Sequence, residues 1–223
     1  MTEPEFDRYA QDYDRVLGDS LPSGMNEDGY FAEYKVRLMG HRLSADKVKR
    51  VLDFGCGAGR GLPYLDKYFP KAELWGYDVS PASLAIAAGQ APRARLVSEL
   101  PGDGTTFDAI VAANVFHHIP KGERLDALVS CRQLLAPGGS LFLFEHNPYN
   151  PVTRLVFERC PFDADAEMLT LRNALELAKL AGYSRESHGF TLFFPKPLAM
   201  LRPLENWLRW LPLGAQYFVQ MAR

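Results

Sequence analysis

A glycine-rich turn between an apolar strand and a helix restricts the fold of this chain more than any other feature of its sequence. The apolar run at residues 51–54 is followed within five positions by Gly55, Gly57 and Gly59. Glycine has no Cβ, so the backbone N–H groups of such a turn can approach a ligand closely. The segment therefore predicts a strand, a ligand-binding turn and a helix in succession.

Strands and helices alternate through the segments that follow. Short apolar runs predict strands buried on both faces, and the segments between them predict helices. The predicted strands are residues 51–54, 74–77, 95–97, 109–113 and 140–144. The predicted helices are residues 61–68, 81–90, 121–135 and 170–181. This alternation is typical of an α/β fold with a doubly wound parallel sheet.

The two ends of the chain have a different pattern. Residues 190–194 and 217–222 predict two strands that flank a short helix beginning near Pro203, which would form an antiparallel hairpin at one edge of the sheet. Residues 1–47 precede the first core strand and predict N-terminal helices over the open end of the sheet.

The chain length predicts one domain. A chain of 223 residues can form one sizeable core but not two ordinary domains with independent cores. We expect a single domain over residues 1–223, in which residues 1–47 form lid helices and residues 48–223 form the core.

An acidic residue follows the second predicted strand. Asp78 in the segment GYDVS can accept hydrogen bonds from both hydroxyls of a ribose, or it can cap the next helix. A nicotinamide dinucleotide is an alternative ligand, but Arg60 occupies the position of the third glycine in the GxGxxG pattern. Asp53 would also repel a pyrophosphate and suits a cationic ligand better.

Four segments in this order resemble class I S-adenosylmethionine-dependent methyltransferases. They are VLDFGCGAGR, GYDVS, FDAIVAANVFHHIP and LLAPGGSLFLFEHNP. The resemblance implies a Rossmann-like, seven-stranded, mostly parallel sheet. The implied cofactor is S-adenosylmethionine, with contacts from Asp53, Gly55, Gly57, Gly59, Asp78, Val79, Ser98, Glu99, Asn114, Val115 and Tyr13.

Two of these implied contacts have an ordinary alternative. Ser98 or Glu99 would meet the adenine amino group, but both also suit a solvent-facing polar turn. Tyr13 lies in an N-terminal pattern similar to the lid helix of many small-molecule methyltransferases, and such an aromatic side chain can also pack on the core.

Polar residues after the fourth and fifth predicted strands mark the expected transfer chamber. They are Asn114, His117, His118, Glu145, His146 and Asn147. Ligands bind at the carboxyl ends of strands in open α/β sheets. Methyl transfer needs alignment of the acceptor, and a base where the acceptor carries a proton. We predict His146 as this base, Glu145 as the group that orients it or accepts a proton itself, and His117 as the second choice.

Composition argues against several partner classes. The formal net charge is −2, and residues 1–33 carry nine acidic residues against two arginines, so a nucleic-acid partner is not expected. Three cysteines without a CxxC pair predict neither a disulfide framework nor a metal site. The acidic N-terminus does not resemble a signal peptide, so we expect a cytoplasmic protein.

The segment at residues 198–211 is rich in leucine and tryptophan with scattered arginine. Such a helix can lie on a membrane surface, although it more often packs on its own sheet or lines an apolar pocket. The sequence does not determine an oligomeric state.

The expected function is transfer of a methyl group from S-adenosylmethionine to a small molecule. The core segments are similar to those of ubiquinone-type and natural-product methyltransferases, and neither group defines the acceptor. The alternatives are a non-catalytic S-adenosylmethionine-binding protein and a nicotinamide-dependent oxidoreductase.

Overall fold

A computed structural model describes residues 29–223 of the chain. Its strands are β1 Arg50–Phe54, β2 Glu73–Tyr77, β3 Arg95–Val97, β4 Phe107–Ala113, β5 Leu135–His146, β6 Arg185–Thr191 and β7 Gln216–Ala222. Its α-helices are α1 Tyr30–Arg42, α2 Leu62–Tyr68, α3 Pro81–Gln90, α4 Arg124–Leu134, α5 Pro151–Arg159, α6 Leu171–Leu180 and the short α7 Glu205–Leu208. Three 3₁₀ segments are Ala45–Lys47, Pro161–Asp163 and Lys196–Leu204.

The strands form one seven-stranded sheet in the order β3-β2-β1-β4-β5-β7-β6. Neighbours from β3 to β5 are parallel, whereas β7 is antiparallel to both β5 and β6. This arrangement confirms the predicted Rossmann-like sheet with an antiparallel edge. Strand β1 pairs with β2 on one side and with β4 on the other, so the strand order reverses between β1 and β4. A ligand crevice is expected at the carboxyl ends of β1 and β4.

The two faces of the sheet carry separate apolar clusters. Leu52 and Ile110 pack on one face, together with residues of α4 and α6. Val51 and Ala109 pack on the other face, together with residues of α1 and α2. Burial on both faces explains why most inner residues of the parallel strands are apolar.

Side-chain caps define the starts of several helices. Ser80 accepts a hydrogen bond from the backbone N–H of Ser83 at the start of α3, and Thr170 accepts one from Asn173 at the start of α6. Each cap satisfies an N–H group that has no partner inside its helix. These starts agree with the sequence prediction to within one residue.

The structure corrects two predictions outside the parallel core. The first strand of the edge hairpin is Arg185–Thr191 rather than residues 190–194, because Leu192 has a left-handed φ of 60° and ends the strand. The predicted fifth strand ends at residue 144 and the next predicted helix begins at residue 170, but β5 continues to His146 and a further helix, α5, begins at Pro151. Asn150 caps α5 by accepting from the N–H of Thr153, 3.0 Å away.

The described part of the N-terminal region is α1, which covers the same face as α2 through Val36, Leu38 and Met39. Tyr13 and the rest of the predicted lid lie outside the described residues. Single-domain organisation therefore remains a prediction.

The segment between β6 and β7 exposes several large apolar side chains. Met200 is 93% exposed, Trp207 77% and Trp210 75%. None of the helices within residues 29–223 is long and apolar enough to cross a membrane. Contact with a membrane surface stays the less favoured alternative for this segment.

Candidate active site

A cavity of about 870 Å³ opens at the carboxyl ends of β1 and β4. Its volume is in the range of ligand-binding pockets. One wall contains the glycine turn and Asp78, and another contains His118 and His146. A third wall comes from α5 and from the segment after β6, including Val152, Val156, Phe193 and Phe194.

The glycine turn is fixed by hydrogen bonds to β2. The N–H groups of Gly55 and Cys56 both donate to the carbonyl oxygen of Tyr77, at 2.8 and 2.9 Å. Gly55 has a φ of 73°, and a Cβ at this position would lie 2.5 Å from Cγ2 of Val115. Any larger residue at position 55 would therefore displace Val115, another predicted cofactor contact.

Gly57 meets a different requirement. Its φ is 51°, and a Cβ there would meet no atom within 4 Å. Because Gly57 lines the cavity, that unfilled space is the space available to a ligand. Gly59 has a φ of 85°, and its N–H donates to the carbonyl of Cys56, which closes the turn.

Asp78 connects the end of β2 to the glycine turn. Its Oδ2 accepts a hydrogen bond from the N–H of Gly57 at 2.8 Å, and its Oδ1 accepts one from the N–H of Ser80 at 2.9 Å. Asp78 lines the cavity, and an ionised carboxylate can accept hydrogen bonds from ligand hydroxyls. The neighbouring Val79 also borders the cavity.

Asp53 and Lys35 are buried charged residues on the cavity wall. Asp53 is 5% exposed and Lys35 7%. Burial, with the negative charge of Asp78, raises the pKa of Asp53 to about 7, and Lys35 acts in the opposite direction. Burial lowers the pKa of Lys35 to about 8, against the negative charges of Glu145 and Asp53. The sequence analysis did not identify Lys35, because a single lysine in an N-terminal helix has no distinguishing pattern.

The loop after β4 is organised by Glu145. Its Oε1 accepts hydrogen bonds from the N–H groups of Val115 at 3.0 Å and Phe116 at 2.7 Å. Its Oε2 lies 2.6 Å from Nδ1 of His117. Glu145 is fully buried, so its carboxylate positions the loop and does not face the cavity.

Asn114 begins this loop with a left-handed φ of 59°. Its N–H donates to the carbonyl of Phe144 at 2.8 Å. Asn114 lines the cavity. Its side-chain Oδ1 is buried and has no hydrogen-bond partner among the described residues. A buried acceptor without a partner is costly, so this oxygen suits a donor group on a ligand.

Three histidines lie together beside the cavity. The ring centroids of His117 and His118 are 4.0 Å apart, and those of His117 and His146 are 5.1 Å apart. Burial alone would lower the pKa of His117, but the charges of Glu145 and Asp163 raise it. Burial and the positive charge of His117 lower the pKa of both His118 and His146 to about 4. The imidazole of His146 is therefore neutral near pH 7 and can accept a proton or a hydrogen bond.

Six of the predicted residues that the structure describes are not on the cavity wall, and they are Gly59, Ser98, Glu99, His117, Glu145 and Asn147. Gly59 closes the glycine turn, and Glu145 and His117 contact each other behind the wall. Ser98 and Glu99 are exposed after β3, and Leu100 lines the cavity in their place. Asn147 is fully buried, and its side chain donates to the carbonyls of Pro212 and Gly214 at 3.1 and 2.7 Å. It therefore holds β5 against the segment that precedes β7.

Comparisons with known proteins agree with this architecture. Residues 52–141 match the model of a family described as a methyltransferase domain. A ubiquinone biosynthesis O-methyltransferase of Coxiella burnetii is 32% identical over 104 residues, which are 43% of this chain and 43% of that protein. The match covers from 25% to 47% of the first four curated relatives, so the aligned segment spans less than half of their length.

Two solved structures share the fold over nearly the whole chain. A methyltransferase from Thermotoga maritima has a TM-score of 0.69 and 20% identity, with 97% of each chain covered. A plantazolicin methyltransferase, solved with a monoazolic desmethylPZN analog and S-adenosylhomocysteine, has a TM-score of 0.65 and 18% identity, with 98% of this chain and 93% of that chain covered.

Proposed function

We propose that this chain transfers a methyl group from S-adenosylmethionine to a small-molecule acceptor. The match of residues 52–141 to the methyltransferase domain model supports this proposal. The observation that carries this proposal is the single cavity in which the glycine turn and Asp78 face His118 and His146. A nucleotide-type binding turn and a chamber with proton-accepting groups thus share one space.

The cofactor half of the cavity is proposed to lie along the ends of β1 and β2. S-adenosylmethionine supplies, when bound, a methyl group on a sulfonium cation. The carboxylate of Asp78 lines the cavity and can accept hydrogen bonds from ribose hydroxyls, and Gly57 lets the ligand approach the backbone. Asn114 offers a free acceptor oxygen, and buried Asp53 offers negative charge. Tyr13 remains a proposed contact from the N-terminal lid.

The acceptor half is proposed to be apolar with a polar end. Val152, Val156, Phe193 and Phe194 would bury the hydrocarbon part of an acceptor. His146 is proposed to take the proton from the acceptor as the methyl group is transferred. Glu145 and His117 are proposed as positioning residues, since their direct contact is buried behind the cavity wall.

Ligand-dependent stability tests this proposal. S-adenosylhomocysteine at a hundred times its Kd should stabilise the fold by about 2.7 kcal/mol, or about 5–10 °C in Tm for a chain of this size. NAD at the same concentration should give no shift. A shift with NAD and none with S-adenosylhomocysteine would contradict the proposal.

Turnover distinguishes an enzyme from a binding protein. S-adenosylhomocysteine release should be measured with phenols, amines and thiols that carry an apolar group, because the acceptor wall is apolar. Release above the rate without acceptor, with a matching mass gain of the acceptor, is the expected result. Tight cofactor binding without transfer to any of these classes would favour a non-catalytic role.

A further inference from the structure

A partly buried cluster beside the cavity contains three side chains that can act as metal ligands. They are His117 and His118 after β4 and Asp163 in the 3₁₀ segment before α6. One ligand atom from each residue lies within 4.8 Å of the others. Two imidazoles and one carboxylate are a ligand set that suits zinc.

The distances within the cluster are longer than those of ordinary hydrogen bonds. Oδ1 of Asp163 lies 3.4 Å from Nε2 of His117 and 3.4 Å from Nε2 of His118. N–H···O hydrogen bonds usually span about 2.7–3.2 Å. Ligand atoms about 2.0–2.1 Å from a tetrahedral zinc ion are about 3.3–3.4 Å apart. The two separations therefore match the edges of a zinc coordination tetrahedron.

A second observation concerns the other nitrogen of His117. Its Nδ1 is bonded to Oε2 of Glu145 at 2.6 Å, which leaves Nε2 directed at Asp163. Histidine ligands almost always donate their remaining ring N–H to a carboxylate or carbonyl, and this bond fixes the tautomer that binds the metal. Glu145 is fully buried and gives His117 that orientation.

We propose that His117, His118 and Asp163 bind a zinc ion beside the cavity. Nε2 of each histidine and Oδ1 of Asp163 supply three ligands, and Glu145 orients His117 from behind. His118 lines the cavity, so the fourth coordination position faces it. Three protein ligands with one open position are typical of catalytic rather than structural zinc.

The open position suits a hydroxyl or thiol of the acceptor. A group that bound there would displace water from the zinc ion, and its own proton would leave more readily. His146, on the same cavity wall, would take that proton. The acceptor atom would then attack the methyl carbon while the carbon–sulfur bond of the sulfonium breaks and S-adenosylhomocysteine leaves. This last role rests on the proposed function, whereas zinc binding does not.

Zinc binding to the full chain tests the site directly. After dialysis against micromolar zinc and removal of free metal, the unmodified chain should retain one zinc ion by elemental analysis. His118→Ala and Asp163→Asn should each lower zinc affinity by at least about 100-fold, since even outer partners of a metal site contribute about 10–100-fold. His188→Ala is the matched control, because His188 is exposed on β6, and its zinc content should equal that of the unmodified chain.

Cobalt substitution gives a readout that needs no variant. Co²⁺ in the unmodified chain should show the visible bands of a four-coordinate nitrogen and oxygen site. A strong thiolate-to-cobalt charge-transfer band would instead indicate a cysteine ligand, such as buried Cys160, and would contradict the proposed ligands. The proposal would be overturned if the unmodified chain retained no zinc. It would also be overturned if folded His118→Ala retained as much zinc as the unmodified chain. Both readouts are independent of S-adenosylhomocysteine binding, which tests the proposed function separately.

Discussion

Glu145 and His117 form a hydrogen-bonded pair 2.6 Å apart, although they lie 28 positions apart in the chain. The pair joins the end of β5 to the loop after β4, and the same carboxylate accepts two backbone N–H groups of that loop. Burial would raise the pKa of Glu145, but the positive charge and the hydrogen bond of His117 lower it. The charged pair therefore fixes one wall of the cavity.

Loss of this carboxylate should destabilise the fold. Removing one partner of a buried ion pair usually costs about 3–5 kcal/mol. Glu145→Gln should therefore lower Tm by about 6–20 °C, at about 2–4 °C for each kcal/mol. The matched control is Glu158→Gln, because Glu158 is 63% exposed in its side chain and its ion pair with Arg154 is exposed. Equal Tm values for the two variants in thermal unfolding would remove the proposed structural role of Glu145.

Asp78→Ala should weaken S-adenosylhomocysteine binding. A lost hydrogen bond to a charged group usually costs about 1.5–3 kcal/mol, which is about ten- to a hundredfold in Kd. Asp108→Ala is a matched control, because Asp108 also accepts hydrogen bonds from two backbone N–H groups, those of Lys49 and Arg50. These bonds lie at the amino ends of the strands, away from the cavity. Calorimetry should find weaker binding for the first variant alone. Similar Kd values in both folded variants would remove Asp78 from the site.

Gly57→Val should prevent ligand binding. The branched side chain would enter the open space above the turn, where the ligand is proposed to lie. Gly104→Val has the same kind of backbone strain, since Gly104 has a φ of 84° and also has no atom within 4 Å of its Cβ position. Both variants should lose some stability, but only Gly57→Val should fail to bind S-adenosylhomocysteine in a thermal shift titration. Retained binding in Gly57→Val would contradict the position of the turn.

Asp53→Asn should stabilise the unliganded protein at high pH. The folded-state pKa of Asp53 is raised to about 7 from an ordinary value of 3.8, so its contribution to stability is present below about pH 4 and is lost as the pH rises through 7. The variant removes this loss. Its Tm advantage over the unmodified chain should be small at pH 4 and larger at pH 8.

The same substitution should weaken cofactor binding, because the buried negative charge is removed. Asp165→Asn is the control for the pH series, since Asp165 is exposed. A Tm difference between Asp53→Asn and the unmodified chain that does not change from pH 4 to pH 8 would disprove the raised pKa.

His146→Ala should separate chemistry from binding. Loss of a general base usually lowers turnover by about 10²- to 10⁴-fold. S-adenosylhomocysteine affinity should stay nearly unchanged, and His188→Ala should change neither quantity. The measurement is kcat with an accepted substrate beside calorimetric Kd. If His146→Ala keeps more than about a third of parental kcat, proximity alone supplies the catalysis.

The parallel core could be predicted because its residues follow a local pattern. Strand β4 is apolar on both faces, and the glycine turn carries its function in consecutive residues. Strand β6 was displaced in the prediction because its first five residues are polar or glycine, as suits an exposed edge. Helix α5 was missed because it begins within a segment rich in asparagine and proline.

The residues that the sequence analysis missed depend on contacts between distant segments. Lys35 reaches the cavity because α1 packs on the face of the sheet that carries Asp53. Asp163 meets His117 and His118 only after the chain has passed through β5 and α5. Neither residue belongs to a motif, so only tertiary structure identifies it.

Because β7 runs in the reverse direction, the two halves of the cavity are formed by different segments of the chain, and the residues of one half can be replaced without changing those of the other. Because β7 is antiparallel to both β5 and β6, β6 runs in the same direction as β1 and ends at the same edge of the sheet. The chain therefore delivers Phe193 and Phe194 to the cavity at the start of a connection that ends at Ala215. The ends of β1 and β2, by contrast, are fixed by the parallel sheet. Replacing residues 193–213 with a loop of another length should alter the acceptor while the nucleotide end keeps its affinity, which makes this connection the place to graft new specificity.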